Sequence, residues 1–169
     1  MKTDIMGITF DNVTMQQALE RAGEILAGDK TCYAVTPNAE IAYEALRDES
    51  LRALLNEADL VLPDGAGVVL ASKILKTPLQ QKVAGVDFAD GLLGMLAQNG
   101  KSVYLLGSKP GIAELAAEKM REKHPGLTIC GMHDGYFKDD APVIAAINEA
   151  KPDVLFVCLG APKQELFMK

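Results

Sequence analysis

Tryptophan is absent from the 169 residues, aromatics make up only 5%, and cysteine occurs three times. With so few aromatics the apolar mass rests on Ala, Val, Ile and Leu, which suits buried parallel strands under packed helices better than a β-sandwich. Cys32, Cys130 and Cys158 lie far apart within apolar runs. An odd count without C-x-x-C spacing argues against a disulfide framework or a zinc site and points to reduced thiols in a cytosolic setting. Positive charge is also short: 17 Lys and Arg against 23 Asp and Glu leave a net charge of -6. That is no footprint for nucleic acid, so no such partner is expected. No run approaches the roughly 20 apolar residues of a membrane span. The start, Met1-Lys2-Thr3-Asp4, lacks the layout of a signal peptide. G-x-G-x-x-G and the Walker pattern G-x-x-x-x-G-K-S/T are missing as well, which disfavours a standard nicotinamide site and a P-loop.

What is present is a regular alternation. Apolar runs at Ile5–Ile8, Cys32–Val35, Leu60–Leu62, Val103–Leu106, Leu127–Cys130 and Val154–Leu159 read as six strands. Helical stripes separate them. Thr14 and Gln17 have capping-box spacing before the stripe Met15–Leu26, and Gly28 is placed to end it. Further helices are expected through Ile41–Leu46, around Leu51–Leu55, and over Ala66–Leu75. Others should span Phe88–Gln98 with Asp87 as N-cap, Pro110–Lys123 with Pro110 in the first turn, and Pro142–Ala150 behind Asp139-Asp140. Thr77–Val86 is the least patterned stretch and reads as a loop. The expectation is one α/β domain over 1–169, Rossmann-like, with a mostly parallel sheet of about six strands and helices on both faces. Pro162–Lys169 reads as an unfinished helix, so the natural protein is expected to continue past Lys169.

In open α/β sheets ligands bind beyond the carboxyl ends of the strands. Five exits combine small and polar residues there: Thr36-Pro37-Asn38, Pro63-Asp64-Gly65, Gly107-Ser108-Lys109-Pro110-Gly111, His133–Phe137, and Gly160–Glu165. The Gly107–Gly111 turn is a candidate phosphate or ribose cradle, although any strand-to-helix turn favours such residues. Asp64, at the end of an apolar strand, could serve as a general base or equally as a helix N-cap. There is no Asp-x-Asp to hold a divalent ion, so charge on a leaving diphosphate would fall to helix N-termini and cations. Lys82, Lys109 and Lys163 are the candidate cations, each also readable as a plain surface lysine. His133 could touch a ligand or face solvent, and His124 sits where a helix C-terminus would favour it.

In order along the chain, Thr36-Pro37-Asn38-Ala39-Glu40, Leu62-Pro63-Asp64-Gly65 with Gly67, Val83-Ala84-Gly85-Val86-Asp87, Leu105-Leu106-Gly107-Ser108 and Leu159-Gly160-Ala161-Pro162-Lys163-Gln164-Glu165 resemble the WecG/TagA/CpsF family of bacterial glycosyltransferases, over essentially the whole chain. The resemblance, nearest to the TagA branch, implies inverting transfer of N-acetylmannosamine from a UDP-linked donor. The acceptor would be N-acetylglucosamine on undecaprenyl diphosphate, as in wall teichoic acid linkage-unit synthesis. UDP-sugars carrying the uronic acid or glucose are the alternative donors. It further implies Asp64 as the base, with Thr36 and Asn38 holding sugar hydroxyls. Gly107 and Ser108 would meet the nucleotide, with Tyr136 and Phe137, and Gln164 and Glu165 would lie near the donor. Gly65, Lys82, Asp87, Gly135, Gly160 and Pro162 complete the substrate-binding set. No metal or other cofactor is implied.

Two departures stand out. Lys82 replaces an arginine common in the family, keeping charge but losing the bidentate fork. Family members also continue with a basic, apolar tail that engages membrane and acceptor, so the full-length protein is expected at the inner face of the plasma membrane. Self-association of the core stays open. A nicotinamide oxidoreductase and a receiver-type signalling module are the rivals. The second would need an acidic pair at the first strand exit, which reads Thr9-Phe10-Asp11-Asn12.

Overall fold

The computed structural model describes residues 2–169. They divide into two compact units, one running up to Asp90 and including Glu165–Lys169, the other Gly91–Gln164. The α/β class holds. The sheet of about six strands does not: among the described residues, seven strands form an antiparallel pair, a parallel pair and a parallel sheet of three.

In the first unit, β1 (Lys2–Ile5) and β2 (Ile8–Asp11) make a hairpin, where a single strand over Ile5–Ile8 was expected. Met6 and Gly7 both take positive φ, 58° and 82°, the left-handed pair that matches the twist of a two-residue hairpin turn. Asn56 braces that turn, accepting from the Thr9 N–H and donating to the Gly7 carbonyl, both at 2.8 Å. Helix α1 (Met15–Ala27) has the full Thr14–Gln17 capping box. β3 (Ala34–Val35) and β4 (Leu60–Val61) pair in parallel. Bonds from Asp59 N–H to Tyr33 O and from Leu62 N–H to Val35 O extend this ladder at both ends. Between them lie α2 (Ala39–Ala45) and α3 (Glu49–Glu57), capped by Asn38 and Asp48. The core of this unit gathers Ile5, Ile8, Phe10, Val35, Leu55 and Val61, all nearly fully buried.

After β4 comes α4 (Ala66–Ile74), then a loop, then α5 (Gly85–Gln98). Asp87 therefore lies inside the first turn of α5 and is not its N-cap as expected. Asp64, 21 residues upstream, holds the helix start instead, its Oδ2 accepting from the Gly85 N–H at 3.0 Å.

In the second unit β5 (Ser102–Gly107) is the middle strand, flanked in parallel by β6 (Thr128–His133) and β7 (Val154–Cys158). Helix α6 (Ile112–Lys123) begins after Gly111, whose φ of 84° places the turn ahead of the helix. Pro110 is accordingly in that turn rather than in the helix. Asp139 caps α7 (Asp140–Ala150). Helix α8 (Lys163–Met168) follows, its residues from Glu165 on belonging to the first unit. Val103, Leu105, Leu106, Leu96 and Ala117 are buried around this sheet.

Candidate functional site

Two loop clusters form, each at the carboxyl ends of parallel strands and each within one unit. The first gathers the exits of β3 and β4 and the start of α5. Asn38 Oδ1 accepts from the Glu40 and Ile41 N–H groups, both at 3.0 Å, so its oxygen is committed to capping α2 while its NH2 remains to donate. The Val83 N–H donates to the Pro63 carbonyl at 2.9 Å, and the Asp64 N–H lies 3.4 Å from the Pro37 carbonyl. Asp64, half-buried, spends Oδ2 on Gly85, which leaves Oδ1 open to an incoming group. Thr36 packs against Gly85 so closely that a Cβ there would sit 2.8 Å from Thr36 Oγ1. Glycine at 85 therefore lets the helix start, Thr36 and Asp64 converge. Gly65 next to them has φ 85°. Lys82 and Asp87 are exposed nearby in the chain, on the loop and on the first turn of α5.

The loop before α5 carries no periodicity, yet it is tied down. Asn12, only 4% exposed, accepts from the Gln80 N–H at 2.8 Å and donates to the Pro78 carbonyl at 3.2 Å and Thr3 Oγ1 at 3.3 Å. Gln80 Nε2 donates back to the Asn12 carbonyl at 2.8 Å. Ser72 Oγ accepts from the Leu79 N–H at 3.1 Å, and Gln81 Oε1 accepts from the Met15 N–H at 3.1 Å. This clamp was not legible in the sequence, because Asn12 and its partners on the loop are 66 and 68 residues apart.

The second cluster lies at the exits of β5, β6 and β7. Gly107 has φ 130°, and a Cβ there would fall 2.2 Å from the Cys158 carbonyl oxygen. Only glycine allows β5 and β7 to stay so close at this end. Ser108 follows in the left-handed region at φ 66°, its N–H donating to Cys158 O at 3.2 Å and its carbonyl accepting from Gly135 N–H at 2.9 Å. Gly135 is packed against Leu159, Ser108 and Gly107. The Gln164 N–H donates to the Gly160 carbonyl at 3.0 Å, and the Gly160 N–H to Gln164 Oε1 at 3.2 Å.

Ser108, Gly135 and Gly160, with Lys109, Tyr136, Cys158 and Leu159, border an open cleft of about 320 Å³, within the range of small-molecule sites. Tyr136 is 70% exposed beside it. Lys163, one of the three candidate cations, has its ammonium 4.3 Å over the Phe137 ring and donates to Gly135 O at 3.3 Å. His133 packs edge-on to Phe137 at 5.6 Å. A neighbouring hollow of about 80 Å³ is walled by Ile112, Ala113, Met120 and Phe156 and is too small and apolar for a nucleotide. Cys158 is exposed as a residue but also borders this hollow, and desolvation pushes its thiol above the ordinary value. Pro162 precedes α8, and Glu165, on that helix, is 2% exposed.

Asp11 is 1% exposed, bonded to Arg21 Nη1 at 2.5 Å and accepting from the Val61 N–H at 2.9 Å. It is a structural anchor between β2 and β4, which removes it from any receiver-type acidic pair. Among the described residues, no group of three or more His, Cys, Asp or Glu is placed to hold a metal ion.

Glycine-shaped loops and helix starts at the carboxyl ends of parallel strands make this an α/β protein of the class whose ligands bind at that edge of the sheet. Comparison with known proteins gives the particular family. The chain belongs to the glycosyl transferase WecG/TagA/CpsF family, whose profile matches residues 3–169. It is 39% identical over 140 residues to the N-acetylglucosaminyldiphosphoundecaprenol N-acetyl-beta-D-mannosaminyltransferase of Bacillus spizizenii strain W23, covering 83% of this chain and 54% of that protein. The like-named protein of Staphylococcus aureus strain NCTC 8325 is 35% identical over 166 residues, covering 97% of this chain and 65% of its own length. The chain thus spans between half and two thirds of these curated relatives.

Proposed function

We propose that the chain is the core of an inverting hexosyltransferase that moves N-acetylmannosamine from UDP to N-acetylglucosamine on a polyprenyl diphosphate, a step of wall teichoic acid linkage-unit synthesis. The observation that carries the reading is the pair of glycine-shaped strand-exit clusters, made of the motifs on which the resemblance to the family rests. Relatives at 35–39% identity bear the mannosaminyltransferase name. In this reading the cleft at Ser108, which follows Gly107 in the chain, and at Gly135, Tyr136 and Gly160 takes the nucleotide of the donor, with Lys109 as the exposed cation at its border. Asp64 is the base. Its Oδ2 is held by Gly85 N–H, so Oδ1 takes the proton of the acceptor hydroxyl. The hydroxyl oxygen forms the bond to the anomeric carbon while the bond from that carbon to the UDP oxygen breaks, and UDP leaves with the electron pair. In the same reading the Thr36 hydroxyl and the Asn38 NH2 bind sugar hydroxyls, and Lys82 meets a phosphate.

No metal is assigned a role. Positioning and stabilisation of the leaving diphosphate by backbone N–H groups and lysines supply the rate. The acceptor is lipid-borne, so the enzyme works at the cytoplasmic face of the membrane.

The test is transfer from UDP-N-acetylmannosamine to a polyprenyl-diphosphate acceptor by the protein and by Asp64→Asn, read as UDP release and as the anomeric configuration of the product. General-base loss costs about 100-fold or more in turnover, and the product should be the β-anomer. Undiminished turnover in Asp64→Asn removes Asp64 from this role. Faster transfer from a glucose or mannosaminuronic acid donor replaces the donor assignment.

A further inference from the structure

Helix α4 is apolar almost all round, and one of its faces is uncovered. Val68 and Ser72 are buried, and Val69 and Ala71 pack on the core of their unit. At successive steps of three and four residues the opposite face presents Ala66, Leu70, Lys73 and Ile74, while Gly67 abuts Ala39 of α2. Leu70 is 60% exposed and Ile74 72%, and the turn that follows adds Leu75 at 51%. A helix of a water-soluble surface puts charged and polar residues there, and a contiguous apolar face of this kind marks a contact surface.

The charge pattern names the partner. In a chain of net charge -6, the stretch from Gly65 to Val86 contains three lysines and no Asp or Glu. Two of them, Lys73 and Lys76, are exposed on α4 and just after it, between and beside the bare aliphatic side chains. We infer that this face docks onto an anionic lipid surface, with Leu70, Ile74 and Leu75 entering the headgroup boundary and Lys73 and Lys76 meeting lipid phosphates. A second copy fits less well. A self-complementary contact centred on this face would bring like-charged lysines together across the two-fold axis. The inference goes beyond the transferase reading, which supplies a lipid-borne acceptor but no surface of this chain to meet the membrane.

The test is flotation of the chain with phosphatidylcholine vesicles, with and without phosphatidylglycerol, at low and high salt. The chain should float with the anionic vesicles and be released by salt. Leu70→Gln with Ile74→Gln should weaken binding at least about ten-fold, and Lys73→Gln with Lys76→Gln by about five-fold per lysine. All four side chains are exposed, so melting and UDP binding of both variants should match the parent. Failure to float, flotation indifferent to phosphatidylglycerol, or flotation unchanged by the Leu70/Ile74 pair overturns the inference. So does a concentration-dependent dimer that the same pair abolishes, which would give the face to a second copy. A chain that floats but does not bind UDP keeps this inference and overturns the proposed function instead.

Discussion

The Asp64 carboxylate has a bond in the structure and a role in the proposed mechanism, and the two can be separated by substitution. Oδ2 accepts from the first N–H of α5, a capping bond made across 21 residues, and in the proposed mechanism Oδ1 takes the acceptor's proton. Asparagine keeps an acceptor for Gly85 and loses the basic carboxylate. Alanine loses both. Asp64→Asn should therefore melt close to the parent with turnover lost, whereas Asp64→Ala should lose turnover and also about 1 kcal/mol of stability, the usual worth of a helix cap. Equal melting of the two variants in thermal denaturation would mean the Gly85 bond contributes nothing. The sequence left Asp64 between base and N-cap. The structure resolves the cap half of that choice in an unexpected way, since the helix it caps is α5 rather than the adjacent α4.

At the scale of elements, local signals were legible and distant ones were not. The Thr14–Gln17 box, the Asp139 cap and the stop at Gly28 all work through residues within a few positions, so spacing alone exposes them. The hairpin escaped because its turn uses Met6, a residue type that gives no hint of positive φ. The start of α5 was misplaced because its cap comes from another element. The Thr77–Ala84 loop looked patternless for the same reason: what orders it is Asn12, on the far side of the sequence. Asn12→Ala should leave the Gln80 N–H and the Pro78 carbonyl without their partner, at roughly 1–3 kcal/mol for each group left unsatisfied. Hydrogen exchange at Gln80 should then speed up, and proteolysis should open between Pro78 and Lys82. Because Lys82 rides on this loop, KM for the donor should rise more than kcat falls. Unaltered exchange at Gln80 would show that Ser72 and Gln81 hold the loop without Asn12.

For the whole molecule, the acidic balance has a stability consequence at low pH. Asp153 accepts from the Ser102 N–H at 2.8 Å, binds Lys101 at 3.0 Å and accepts from Ser102 Oγ at 3.0 Å. The Ser102 N–H first, and Lys101 with it, hold its carboxyl below the ordinary value despite some desolvation. A carboxyl depressed in the folded state contributes stability that is present above its unfolded value, about pH 4, and is lost as pH falls through the folded one. Asp153→Asn should lower the melting temperature at neutral pH and flatten its fall below about pH 4. An acid limb as steep as the parent's would assign the loss to other carboxylates.

The central claim is that the chain binds a UDP-linked donor at the cleft bordered by Ser108, Gly135 and Gly160. Calorimetric titration with UDP in the presence of EDTA, with NAD as the comparison, tests it most directly. Saturable UDP binding that survives EDTA, with none for NAD, is the result this account predicts. No binding of UDP, or binding of NAD alone, would contradict it.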